Sequence, residues 1–212
     1  MKTRKKILKN AFLISLFSTV CVAGTVLINS ITKNKIIYQK EQEKKILLQQ
    51  VIPKQICQRF TKKLYKIKNK FLGNNKTHNL WLLFSIKNNK PEAAIVETTA
   101  PDGYSGSINM LVAAYFDGKI IGVRVISHKE TPGIGDKIEL SVSNWIKIFT
   151  NMRVSSIADK NFLLKKYGGK IDQFTGATIT PQSVTNSVKR TVVFIKTIPS
   201  IFHFFNEHVY DN

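Results

Sequence analysis

From Asn10 to Thr32 no charged residue interrupts the chain, and Ala11 to Ile28 reads AFLISLFSTVCVAGTVLI. As a helix this run is long enough to cross the roughly 30 Å hydrocarbon core of a bilayer. Lys2, Arg4, Lys5, Lys6 and Lys9 precede it. Such a flank holds residues 1–9 in the cytoplasm and sends everything beyond Ile31 to the other face. A secretory signal peptide starts the same way, but its apolar core is usually about 7–15 residues long. Ser18-Thr19-Val20 ahead of Cys21 does not resemble a lipoprotein processing site. The pattern therefore predicts an uncleaved, single-pass transmembrane helix over 10–32, with the bulk of the protein extracytoplasmic.

Beyond the span, residues 33–79 mix Lys, Gln and Glu with Ile46, Leu47, Val51, Ile52 and Ile56. That spacing predicts a helical stalk or linker, broken near Pro53. From Leu80 the period changes. Trp81–Ile86 and Ala93–Thr99 flank the turn-like Lys87-Asn88-Asn89-Lys90-Pro91, which reads as a β-hairpin. Ile108–Phe116 and Lys119–Ser127 are joined by Asp117-Gly118, which predicts a second hairpin with a tight type I′ turn. Asp136 with Glu139 resembles a capping box, and Ile138, Val142, Trp145, Ile146 and Phe149 fall on one face of an amphipathic helix. A last helix is expected to open at Thr180 as N-cap with Pro181 first, burying Val184, Val188, Val192 and Ile195. The apolar stretch Val192–Phe205 is broken by Lys196, Pro199 and His203 and is too short for a second span. It reads as a core or surface-packing element. Strands followed by helices predict an α+β domain over 80–198 and a tail over 199–212.

Composition changes this picture little. The 212 residues, 43% of them apolar, suffice for one medium domain plus the anchor. The formal net charge of +20 invites a nucleic-acid or membrane-surface reading. However, Lys outnumbers Arg 28 to 5, whereas phosphate-reading surfaces favour the Arg fork. Charge is discounted as a sign of function, and no nucleic-acid partner is expected. Cys21 and Cys57 are too few for a disulfide framework. His78, His128, His203 and His208 lack paired ligand spacing, so no metal site is expected. There is no Gly-x-Ser-x-Gly elbow, P-loop or interpretable carboxylate pair, and hydrolase readings fail.

The chemistry concentrates in Asp172-Gln173-Phe174-Thr175-Gly176-Ala177-Thr178-Ile179-Thr180-Pro181. A turn of small residues presents hydroxyls just ahead of a helix N-terminus, whose free N–H groups and positive dipole end favour an anion beside Thr178. Gly176 and Ala177 leave room for a bulky group to approach the backbone. A Thr-Gly-Ala-Thr turn is equally an ordinary way to begin a helix, and spacing leaves both readings open.

Asp-x-x-Ser/Thr-Gly-Ala-Thr resembles the flavinylation motif of covalent FMN-binding domains. Gly103-Tyr104-Ser105-Gly106, the Asp117-Gly118 hairpin and His128-Lys129-Glu130-Thr131-Pro132-Gly133-Ile134-Gly135-Asp136 follow in the order found in the G subunit of the Rnf electron-transport complex. The resemblance runs from the anchor to about Val193. It implies FMN attached through its phosphate to the Thr178 hydroxyl, next to Thr175, Gly176 and Ala177. The Thr131-Pro132-Gly133 turn becomes a wall of the ring pocket, Tyr104 a stacking side chain and Glu130 a group that tunes the flavin. Asp172 matches the acidic position read by a flavin transferase that uses FAD and Mg²⁺. The implied partners are that transferase and the other membrane and iron–sulfur or flavin subunits of an ion-translocating complex in the inner membrane, with the domain on the periplasmic side. The chain would relay electrons, with no catalytic residue and no independent catalysis of its own. The C subunit of the sodium-translocating NADH:quinone oxidoreductase bears a similar anchor and motif, but the compact length and the Gly103 and His128 segments favour the Rnf complex. A non-redox, basic, membrane-anchored binding module is the reading from another class.

Overall fold

A computed structural model describes residues 2–208. Helix α1 runs without a break from Lys2 to Gln50. The apolar segment within it is wholly unburied and is the one candidate membrane span among the described residues. Its hydroxyls are satisfied within the helix: Thr19 donates to the Ser15 carbonyl (2.8 Å) and Thr25 to that of Cys21 (2.9 Å). That is what a helix needs where no water can serve its polar groups.

The chain divides into two compact units at Lys45/Ile46. In the second, the end of α1 stops where Pro53 cannot continue it, and Arg124 Nη2 donates to the Gln50 carbonyl (3.0 Å). A cation is favourable at this negative end of a helix. The four-residue helix α2 (Lys54–Cys57) follows. Then comes a five-stranded antiparallel meander, β1 (Phe60–Ile67), β2 (His78–Ser85), β3 (Pro91–Ala100), β4 (Ile108–Tyr115) and β5 (Ile120–Ser127), in spatial order β1-β2-β3-β4-β5. Helix α3 (Ile179–His208) closes the described chain.

Both faces of the sheet are covered. Leu80, Leu82, Ala94, Val96, Met110, Val112, Val123 and Val125 pack with Val184, Val188, Val192 and Ile195 of α3. Leu83, Ala93, Ile95, Leu111, Ala113 and Ile121 pack on Val51 and Ile52 behind the sheet. Strands buried on both sides lose the polar alternation of a half-exposed sheet, hence Ala93-Ala94-Ile95-Val96 and Met110-Leu111-Val112-Ala113-Ala114. The α+β class and both predicted hairpins are present, as is the buried valine stripe on α3.

Five local expectations differ. The 33–79 segment is not a broken helix throughout, because Phe60–Ile67 forms β1, paired in register from Phe60↔Ser85 to Ile67↔His78. Its single partner strand and its exposed lysines gave no apolar alternation to read. The Asp117-Gly118 turn is not type I′: of its two residues only Gly118 has positive φ (+86°). Gly118 N–H donates to the Tyr115 carbonyl (3.0 Å), and Asp117 Oδ1 accepts from Lys119 N–H (2.8 Å). This is a type I turn followed by a left-handed glycine.

The Asp136–Phe149 helix is replaced by two 3-10 turns, Asp136–Ile138 and Trp145–Phe149. Glu139 turns its carboxylate to His128 Nε2 (2.8 Å) instead of back to the cap. Ser143 Oγ donates to the Lys137 carbonyl (2.7 Å) and accepts from Trp145 N–H (3.1 Å), so local side-chain bonds displace the helical ladder. Of the expected face, Ile138, Ile146 and Phe149 are buried and Trp145 is half-buried, but Val142 is exposed, because the 3-10 turns no longer carry it to the same side. Finally, α3 begins one residue before Thr180. The Thr178 carbonyl accepts from Gln182 N–H (3.2 Å), and Pro181 occupies the first turn, where its missing N–H costs nothing. The helix continues through Pro199, where a tail was expected, and buries Phe194 and Ile198 in the core.

Asp159 caps the 3-10 turn Lys160–Phe162 and thereby seats Phe162 in the core. Burial pushes its carboxyl pKa up, but hydrogen bonds from Ser155 N–H and Oγ and from Asn161 N–H and Nδ2 outweigh this and hold it below the usual value. A depressed folded-state pKa contributes stability that is present above the unfolded value of about 3.9 and is lost as pH falls through the folded value. Asp159→Asn is therefore expected to destabilise the protein at pH 7, with the deficit shrinking under acid. Urea unfolding midpoints at neutral and acid pH check this, and a deficit independent of pH would contradict it.

Candidate functional site

One end of the sheet, where β3 leads to β4 and β5 ends, meets the start of α3 at a cavity of about 220 Å³. Tyr104, Glu130, Thr131, Ile134, Gly135, Gly176, Ala177, Thr178, Ile179 and Thr180 line it. Three segments far apart in sequence thus converge, and each is one of the motifs singled out above.

The Thr175-Gly176 turn is built by local chemistry. Ala177 N–H donates to the Phe174 carbonyl (3.2 Å), and Gly176 takes φ +82° where Thr175 keeps an ordinary negative value. That is a type II turn, which needs glycine at its third position. Phe174 anchors it from below: its ring meets Trp145 edge-on at 4.9 Å, and Trp145 Nε1 donates to the Asp172 carbonyl (2.7 Å). Thr178 is half-buried, and its Oγ1 has no hydrogen bond among the described residues. Thr180, by contrast, is buried and donates its hydroxyl to Glu130 Oε2.

The facing wall is the Thr131–Ile134 turn. Ile134 and Gly135 N–H both donate to the Thr131 carbonyl (3.2 and 2.9 Å), and Gly133 has φ +77°, the expected type II geometry. Glu130 is only 4% exposed, a buried carboxylate and not a solvated one. Tyr104 is 69% exposed beside the cavity, and Ile134 (44%) and Ile179 (51%) complete an open apolar rim.

Of the expected site residues, Tyr104, Glu130, Thr131, Gly176, Ala177 and Thr178 share the cavity. Thr175 and Gly133 are exposed outside the lining, and Asp172 is paired with Lys165 on the surface (2.6 Å). Ile134, Gly135, Ile179 and Thr180 were missed as lining residues, although each adjoins a motif residue. The contribution of Trp145 was not readable, because its indole reaches the motif across 27 positions of chain.

A cavity of this size is smaller than the roughly 300–1,000 Å³ that buries a whole drug-sized ligand. It suits a ligand held at one end and lying across an apolar rim. Helix α3 supplies backbone N–H groups and a positive dipole end next to the free Thr178 hydroxyl, which fits a phosphate monoester. The lining would suit FMN: Thr178 and the α3 N-terminus suit a phosphate, and the rim of Tyr104, Ile134 and Ile179 suits a planar ring.

This arrangement defines a membrane-anchored flavin-binding protein, and comparison agrees. Residues 103–193 match the FMN-binding domain family, and residues 1–51 match the RnfG N-terminal region. The chain belongs to the family of G subunits of ion-translocating oxidoreductase complexes. It is 61% identical over 202 residues to the G subunit of such a complex from Buchnera aphidicola subsp. Schizaphis graminum, covering 95% of this chain and 99% of that one. It is 72% identical over 160 residues to the protein of that name from Buchnera aphidicola subsp. Acyrthosiphon pisum (76% and 96% covered), and 42% identical over 199 residues to that from Escherichia coli O157:H7 (92% and 94%). Of the two complexes that the sequence left open, these relatives carry the name of the ion-translocating oxidoreductase type.

Proposed function

We propose that the chain carries FMN as a phosphoester on Thr178 and relays electrons as a single-pass subunit of an ion-translocating, Rnf-type complex, with its domain on the periplasmic side of the inner membrane. The observation that carries this reading is the unbonded Thr178 hydroxyl at the start of α3, lining a cavity shared with the Tyr104 and Glu130–Gly135 segments. In maturation, Thr178 Oγ1 loses its proton and bonds to the flavin-side phosphorus of FAD, and AMP leaves. A flavin transferase with Mg²⁺ supplies the catalysis, and exposed Asp172 is its expected contact.

The bound flavin would supply the redox chemistry. The protein's own part is to hold it. The ester prevents loss outside the cytoplasm, the α3 N-terminus offsets phosphate charge, and the Thr131–Ile134 turn and Tyr104 orient the ring. In this reading the chain is a relay, and the isolated protein, without its neighbouring subunits, is expected to turn nothing over by itself. Donor and acceptor are neighbouring subunits with iron–sulfur or flavin centres.

The test is to co-express the chain with a flavin transferase and image a denaturing gel under ultraviolet light. A fluorescent band with the mass increment of FMN on the Thr178 peptide is expected, and an unmodified peptide would reject the reading. Removing residues 1–31 should leave a soluble protein that still takes the flavin, since the sheet, both of its covers and the cavity lie from Ile46 onward. A folded truncation that stays unlabelled would show that the anchor is needed for recognition.

A further inference from the structure

Glu130 is a buried acidic side chain at a junction of three segments. Its Oε1 accepts from Ser105 N–H (3.0 Å) and its Oε2 from the Thr180 hydroxyl. Its own N–H donates to His128 Nδ1 (2.9 Å), and His128 Nε2 reaches Glu139 Oε1 (2.8 Å). The Nδ1 acceptor role places the proton on Nε2, so the imidazole is fixed at both nitrogens. Gly135 makes room for this side chain, since a Cβ there would lie 2.9 Å from Glu130 Cβ; a Cβ at Gly103 would meet the Gly106 carbonyl oxygen at 2.2 Å as well as Glu130 Oε1 at 3.0 Å. Ser183 Oγ adds a parallel tie from α3 to Asp102 (2.9 Å).

Resting on the flavin reading above, we propose that Glu130 is the positioning and acceptor-selecting residue of the cavity. It ties the Tyr104 loop and the start of α3 to the Thr131 wall, and by engaging Thr180 it leaves Thr178 as the one lining threonine near the α3 N-terminus whose hydroxyl is available. Thr180 and Thr178 both line the cavity, both precede or enter the same helix turn, and Thr131 lies on the opposite wall. The difference between the two helix-start hydroxyls is their hydrogen bonding. Thr180 would have to surrender a charge-assisted bond to a buried carboxylate before it could attack phosphorus, a bond stronger than a neutral one. Thr178 surrenders nothing. The same fixed negative charge, in a cavity partly shielded from water, disfavours adding electrons to a flavin placed there and holds its potential down.

The experiment uses the full chain co-expressed with a flavin transferase and purified in detergent. It compares wild type with Glu130→Gln, Glu130→Asp and Thr180→Val, reading the labelling rate, the modified residue by peptide mass, and the reduction potential of the attached flavin by dye-calibrated titration. Glu130→Gln keeps the shape and removes the charge, so the potential should move positive. Labelling of Thr178 should slow roughly tenfold, as expected for the loss of one hydrogen bond to a charged group, and part of the flavin should appear on Thr180; attachment confined to Thr178 would overturn the selecting role. Glu130→Asp should keep the wild-type potential but label slowly, because charge is retained and the tether is shortened. A purely structural role would not separate charge from reach in this way. Thr180→Val, which does not alter the carboxylate itself, should slow labelling without moving the attachment from Thr178, and it serves as the decisive variant if Glu130→Gln does not fold. Wild-type rate and potential in Glu130→Gln, or wild-type rate in Thr180→Val, would overturn the proposal while leaving the flavin reading intact. A wild-type chain that takes no flavin overturns both.

Discussion

Thr178→Ala is expected to abolish covalent flavin completely and to leave the fold unchanged. The Thr178 side chain is half-buried and its hydroxyl has no partner among the described residues. Removing it forfeits no bond and opens no large cavity, and such substitutions usually change stability by less than about 0.5 kcal/mol. The chemical effect is all-or-none, since an alanine has no oxygen to esterify. Thr175→Ala should label normally, because Thr175 lies outside the cavity lining. Thr178→Ser should retain labelling, because the nucleophilic oxygen remains. In-gel fluorescence, intact mass and a urea unfolding curve together separate loss of the acceptor from loss of structure. A fluorescent Thr178→Ala band would place the attachment elsewhere.

Phe149→Ala is expected to be the most destabilising of these changes. Phe149 is fully buried, lies stacked near Phe162 at 6.4 Å and meets Trp145 edge-on at 5.4 Å. Truncating such a ring removes its transfer free energy and leaves a cavity, costing about 3–5 kcal/mol. That is a large share of the roughly 5–15 kcal/mol by which a domain is stable. The site should suffer with the fold. Trp145 rests on Phe149 and in turn holds the Asp172 carbonyl and the Phe174 ring, so the turn before Thr178 loses its support. Urea unfolding in mild detergent, followed by tryptophan fluorescence, should show a markedly lower midpoint, and flavin loading should fall. A midpoint close to that of wild type would show that Phe149 does not bear the turn.

Most of the site was legible because its chemistry is local. Gly176 and Ala177 announce a tight turn, Thr178 sits where a helix begins, and Pro132-Gly133 specifies a type II turn by the φ values those residues prefer. These constraints act over four or five residues, within reach of a sequence pattern. The same holds for the membrane-type span, which depends only on a long run without charge, and for the two hairpins, which are short apolar runs on either side of polar turns. The amphipathic helix over 136–149 failed for a reason of the same local kind. Its apolar spacing picked out the buried Ile138, Ile146 and Phe149 but not the exposed Val142, and Ser143 and Glu139 bond to neighbours in ways that unwind the ladder, a competition that hydrophobic period alone does not register.

By itself the sequence determined the long apolar span, the strands from Leu80 on and the turns on either side of the cavity, because each follows from side-chain chemistry at short range; the class of protein and the choice of Thr178 came from the resemblance of its motifs to a family. Only the tertiary structure decided that β1 completes the sheet, that Trp145 braces the turn, and that Glu130 is buried between Ser105 and Thr180. Those are contacts between residues many positions apart, 27 for Trp145 and Asp172 and 50 for Glu130 and Thr180. Their partners are chosen by how the sheet and α3 pack against one another, and no short window of the chain contains both sides of the bond.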